Sequence, residues 1–170
     1  MRVPAILDIE ASGFGKGSYP IEVGVALPDG SVSSFLIKPH PDWTHWSQDA
    51  EALHGISQEY LHAHGATPRE VAERLNILLE GQTVYSDGWG VDSSWLSLLF
   101  YYAGWRQAFQ LDTITRILSE EQLVLWDSTR DTLFKGHDGR RHRAGHDAKM
   151  LQETYIQTHE MARRQQLQGR

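Results

Sequence analysis

The chain contains no cysteine. That absence excludes disulfides, thiolate zinc sites and cysteine nucleophiles, and leaves His, Asp and Glu as the side chains able to hold a metal. It also points to a reducing compartment. No apolar run approaches the ~18 residues that a bilayer span needs, and no charged start leads into an apolar segment. The expectation is a cytoplasmic protein with no signal peptide and no membrane partner. Positive charge is scarce as well: 16 Lys and Arg against 22 Asp and Glu leave a formal net charge of −6. Such a balance argues against a protein that grips duplex DNA through many phosphate contacts. If bound divalent cations consume several carboxylates, however, a phosphate can still approach. The one dense basic cluster is RRHR, Arg140 to Arg143. With no repeats, low-complexity segments or linkers, the 170 residues read as a single domain whose last stretch, about 160–170, is polar and frays.

What is present is a set of short elements. Ala5–Ile9, Ile21–Leu27 and Ser33–Ile37 read as three strands of a meander, the last two separated by the turn residues Pro28, Asp29 and Gly30. Thr67, Pro68 and Glu70 form a capping-box start, and Val71, Leu75, Leu78 and Leu79 repeat at helical spacing until Gly81. A short helix ending at Gly55 precedes it. Thr83–Ser86 reads as a strand, Asp92–Ala103 as an apolar helix, Phe109–Leu111 as a last strand and about His146–Gln165 as a final helix. Three strands followed by alternating helix and strand make a mixed α/β sheet.

Against that background the stretch ILDIEASGFG, Ile6 to Gly15, is anomalous, because it places Asp8 and Glu10 in a run that otherwise reads as buried strand. Burying an unpartnered carboxylate costs several kcal/mol. Residues i and i+2 of a strand share a face, so the two acids project together, about 6 to 7 Å apart, and repel unless a cation lies between them. Alone, D-x-E on a strand is a weak signal, and a salt-bridged pair or acids at a strand end explain it more often than a metal site does. Asp92 and Asp147 each sit where a helix begins, a position that capping also favours. His142, five residues before Asp147, is off-face for one continuous helix and belongs to the loop leading in. The sequence GFGKG, Gly13 to Gly17, meets neither phosphate-loop pattern, and Pro20 denies it the helix such a loop opens. Trp43, Trp46 and His54 offer ring faces on which a single strand could stack, although tryptophans also serve as core.

Taken in order, these segments resemble the DEDDh exonucleases of the DnaQ-like group. DIEASG looks like the first motif, ALHGIS (Ala52–Ser57) like the H-G-I-T/S segment, YSDGWGVDSSWL like the second motif with Asp92 as its acid, and HRAGHDA like the third, H-x-A-x-x-D-A. Two departures stand out. Asp87 and Gly88 occupy places where relatives usually carry His-Asn, and Asp87 competes with Asp92 as the acid; Ala11 stands where Thr is common. The resemblance implies a ribonuclease H-like mixed five-stranded sheet flanked by helices, and a 3′→5′ exonuclease acting on single-stranded DNA or RNA with a free 3′ end. Asp8, Glu10, Asp92 and Asp147 would hold two Mg²⁺ or Mn²⁺ ions, and His142 would be the general base. Ala11, Ser12, Gly13, Phe14, His54 and Arg143 would contact substrate, with Phe14 stacking on or wedging beside the terminal base. The altered second motif leaves a catalytically weak or inactive binding module of the same fold as the alternative. The apolar run Trp95–Tyr102 offers a face for a homodimer.

Overall fold

The computed structural model describes residues 1–136 and 142–168. Five strands form one sheet in the order β3-β2-β1-β4-β5: β1 (Ala5–Ala11), β2 (Pro20–Ala26), β3 (Val32–Leu36), β4 (Thr83–Ser86) and β5 (Gln110–Thr113). The first three pair antiparallel, as the meander requires, while β4 and β5 run parallel to β1. This is the mixed sheet flanked by helices that the sequence leads one to expect. Its last strand begins and ends later than Phe109–Leu111, and β3 begins one residue before Ser33.

Six α-helices accompany the sheet among the described residues. α1 (Gln48–His54) and α2 (Gln58–His64) are single short segments, each started by a serine side chain, Ser47 or Ser57. α3 (Pro68–Leu79) carries the expected reciprocal capping box between Thr67 and Glu70. α4 (Trp89–Ala103) begins three residues earlier than the apolar pattern suggests, so Asp92 lies within its first turn and does not open it. α5 (Glu120–Lys135) has no counterpart in the sequence reading, although Ser119 and Gln122 form a second reciprocal capping box. α6 starts at Ala144, ahead of His146, and runs on to Gln168 with Ala162 buried. Among the described residues no helix is long and apolar enough to cross a membrane.

Strand alternation divides β1 between two cores. Ala5, Leu7, Ile9 and Ala11 join the larger cluster, with Val71, Leu75, Leu96 and Leu99 of α3 and α4. Ile6 points the other way, into a smaller cluster with Trp126 of α5 and Leu151 and Tyr155 of α6. Asp8 and Glu10 share the face of Ile6 and are therefore turned toward α6. α6 lies directly across β1, β2 and β3. Contact is close enough at Gly24 that a methyl group there would overlap the Ala144–Gly145 peptide, and one on Gly145 would overlap Ser34. The helix is also tied down by fully buried Gln152, whose side-chain amide donates to the carbonyls of Pro4 at 3.0 Å and Leu27 at 2.8 Å. The apolar face of α4 packs inward through Trp95, Leu96, Leu99 and Phe100, which leaves Tyr101 as its prominent exposed ring.

Candidate active site

The acids gather at the carboxyl ends of β1 and β4, neighbouring parallel strands from which the chain leaves toward opposite edges of the sheet. Open α/β sheets present their ligand crevice at such a point. Asp8 and Glu10 come from β1, whose ladder with β2 slips at Glu10/Ala11. Asp92 arrives from α4. The Ser86 hydroxyl at the end of β4 donates to Asp92 Oδ2 and accepts the Gly88 amide at 3.0 Å, which fixes the turn into α4. Asp92 forms no side-chain cap on its helix, whose N-cap is Gly88. Asp147, in the first turn of α6, accepts the His142 amide on Oδ2 at 3.2 Å. His142 has φ of 67°, a left-handed conformation that costs a non-glycine residue on the order of 1 kcal/mol and persists only where its surroundings dictate it.

Each acid pays electrostatically for the company of the others. Asp8 is held well above the usual carboxylate range by burial first, then by Asp92, Glu10, Asp147 and Asp87. Glu10 is pushed up to about 8 by burial, Asp147, Glu22 and Asp92. Burial raises Asp92 to about 7, against the opposing effect of the Ser86 hydrogen bond. Asp8 Oδ2 is buried with no hydrogen-bond partner among the described residues. Glu10, His142 and Asp147 each offer one ligand atom, all within 4.8 Å of one another. Carboxylates crowded and desolvated in this way, with an imidazole beside them, fit a divalent cation that relieves their mutual repulsion.

Asp87 shares this region. It lines a cleft of about 200 Å³ together with Asp8, His142, Asp147 and Arg130, and its Oδ2 lies 4.0 Å from Arg130 Nη1. Burial raises it too, partly offset by Arg130.

A second cleft, of about 120 Å³, opens beside the acids and is lined by Glu10, Ala11, Phe14, His54, Trp95 and His142. Phe14 is 75% exposed, its ring 6.4 Å from that of Trp95. His54 is 6% exposed. Its Nδ1 accepts the Ile56 amide at 3.0 Å, so the neutral ring carries its proton on Nε2, on the side of the Ala11 backbone. Burial lowers its pKa and favours that neutral form. Ser12 is wholly buried: its amide donates to Tyr19 O at 2.9 Å, and its hydroxyl accepts the Tyr19 amide at 3.0 Å and meets His45 Nδ1 at 2.9 Å. Gly13 is packed so closely that a Cβ would lie 2.6 Å from His45 Cε1. These two residues shape the wall of the cleft from behind.

Arg143 points its Nε and Nη2 at Glu22, away from the cleft lining, and Arg140 and Arg141 lie outside the described residues. Trp43 belongs to the core, stacked on Tyr19 at 5.3 Å, and Trp46 donates from Nε1 to Glu51 at 2.7 Å. Reading the sequence misses Ser86, Glu22, Trp95 and Arg130. Each is recognisable only once the partner strand or helix is in place.

No protein-family model and no curated protein matches the chain. Solved structures do. Escherichia coli exonuclease I in complex with a dT13 oligonucleotide superposes with a TM-score of 0.67 at 14% identity, over 96% of this chain and 42% of that one. The zinc-bound form of the same enzyme with single-stranded DNA gives 0.68 at 14% identity, over 89% and 39%. Exonuclease I from Methylocaldum szegediense gives 0.56 at 17% identity, over 75% and 30%. The chain thus spans about two fifths of the length of the Escherichia coli enzyme. At these identities the likeness is one of architecture, and the architecture is the ribonuclease H-like fold of the exonuclease I structures.

Proposed function

We propose that the protein is a metal-dependent 3′→5′ exonuclease that removes nucleoside 5′-monophosphates from single-stranded DNA or RNA. The observation that carries this reading is the convergence of Asp8, Glu10, Asp92, Asp147 and His142 at the carboxyl ends of β1 and β4, beside a cleft bounded by an exposed phenylalanine. The exonuclease I structures that share the fold hold single-stranded DNA and, in one case, zinc.

Asp8, Glu10, Asp92 and Asp147 would hold Mg²⁺ or Mn²⁺, two ions in the fullest form of the proposal. Bound divalent cations supply a more acidic water and charge stabilisation for a phosphoryl group in displacement. His142, fixed by its backbone bond to Asp147, takes the proton from the attacking water as general base. Phe14 and Trp95 pack against the terminal base. His54 lines the cleft beside Ala11 and offers its ring to the terminal nucleotide. Ala11, Ser12 and Gly13 close the wall behind the sugar, and the close packing of Ser12 and Gly13 keeps that wall rigid. Arg143 contributes by anchoring the start of α6.

A 5′-labelled single strand with a free 3′ end, incubated with Mg²⁺ or Mn²⁺, should yield a descending ladder and mononucleotide 5′-phosphates. Matched DNA and RNA strands, each with the 3′ end free or blocked, establish sugar preference and polarity together. No product from any strand with either metal, alongside retained binding, would assign the chain to the binding-module alternative.

A further inference from the structure

One inward-facing row of α5 breaks its own pattern. Gln122, Trp126, Arg130 and Phe134 follow at intervals of four and so share a face. Gln122 and Trp126 are buried against α6, Gln122 donating to Thr158 Oγ1 at 3.2 Å, and Phe134 packs on the same core. Arg130 is thus a fixed positive charge in a row that otherwise packs. It is the one permanently charged cation lining the cleft of Asp8, Asp87, His142 and Asp147 among the described residues.

Its partners differ on its two arms. Nη2 faces the rim, 3.3 Å from Asp127 and 3.5 Å from Asp131, both exposed acids. Nη1 faces Asp87 at 4.0 Å, an ion-pair distance too long for a hydrogen bond. The arm on the cleft side therefore has attraction without a committed acceptor. A guanidinium N–H donates well to a non-bridging oxygen of a phosphodiester, and no other permanent cation lines this carboxylate-lined cleft among the described residues. Resting on the nuclease reading above, we propose that Arg130 binds a backbone phosphate of the single strand, which takes the place of Asp87 as the partner of its cleft-side arm.

The test is binding without turnover: a 5′-labelled single strand followed by fluorescence polarisation in excess chelator at pH 6 over a series of salt concentrations. Arg130→Ala should lose about tenfold in affinity at low salt, and its plot of log affinity against log salt should be shallower by about 0.7, the loss of one phosphate contact on a single strand. Arg130→Lys should restore the wild-type slope, because the charge returns without the fork. Asp87→Asn should tighten binding by about two- to fivefold, since it removes the anion that the phosphate displaces. The wild-type protein gives an independent measurement: methylphosphonate substitution of the contacted linkage, scanned from the 3′ end, should reproduce both the affinity loss and the slope change. Unchanged slopes in Arg130→Ala, weaker binding by Asp87→Asn, or no sensitive linkage would each overturn the inference. So would failure of the wild type to bind in chelator, while the exonuclease reading is judged separately by release of mononucleotides with metal.

Discussion

Glu22 and Arg143 form a two-pronged ion pair across the edge of the site. Arg143 donates from Nε to Oε1 at 3.0 Å and from Nη2 to Oε2 at 2.7 Å, and the Ala144 amide adds a third bond to Oε1 at 2.8 Å. Glu22 is 1% exposed and lies opposite Glu10 in the β1–β2 ladder. The pair therefore fastens the start of α6, and with it His142 and Asp147, to the strand beside the one that carries Asp8 and Glu10.

Glu22→Ala should unfold at lower urea concentration, by about 2 to 4 kcal/mol, because it leaves an arginine and a helix-start amide without their acceptor. Turnover should fall as well, since His142 and Asp147 lose their anchorage. Stability within about 0.5 kcal/mol of wild type would contradict this account of the pair.

The acid cluster predicts an unusual pH dependence in chelator. Glu10 titrates near 4.5 in the unfolded chain and at about 8 in the folded one, Asp92 moves up to about 7, and Asp8 moves in the same direction. Over that window the native state holds more protons than the unfolded state, so their stabilising contribution is complete below about pH 4 and is lost as pH rises to about 8. Melting temperature in chelator should decline between pH 5 and 8. Millimolar Mn²⁺ or Mg²⁺ should raise it most at the upper end, where the carboxylates are free to bind. A melting temperature indifferent to metal at pH 8 would contradict the metal site.

His142 and Asp147 share a motif and should fail differently. Asp147→Ala should weaken metal binding and activity together, with extra metal recovering part of the loss. His142→Ala should lose about 10²- to 10⁴-fold in turnover while calorimetry finds metal affinity close to wild type. Near-normal turnover in His142→Ala would shift the base to another group, with Asp87 an acid of the same cleft that the ligand set does not use.

Phe14→Ala should leave melting unchanged to within about 0.5 kcal/mol, because the ring is 75% exposed. Its effect should appear as slower removal of 3′ nucleotides with metal binding intact. Equal rates for variant and wild type would make the ring a surface residue only.

The parts of this molecule that a reader of the sequence can recover are those specified by neighbours along the chain. Asp8 and Glu10 announce themselves by charge at alternate positions of an apolar strand, α3 by Thr67, Pro68 and Glu70, and the third motif by the spacing of His142 and Asp147. α5 escapes because Leu123 and Val124 lie on its exposed side while Gln122 and Arg130 take inward positions, which blurs the apolar period. Its capping box, Ser119 to Gln122, is the signal that would have found it. Glu22 escapes for another reason. In sequence it is an ordinary polar residue of a strand, and only α6, arriving from the far end of the chain, makes it an anchor.

The close seating of α6 on Gly24 also orders events in time. Asp8 and Glu10 are synthesised well before the helix that brings Asp147 beside them, and contacts of such long sequence separation form late. Until then the face of the sheet over Gly24 lacks its cover and the acids lack their companions. The acid cluster is therefore completed by the docking of α6 and not by the strand that supplies its first two members.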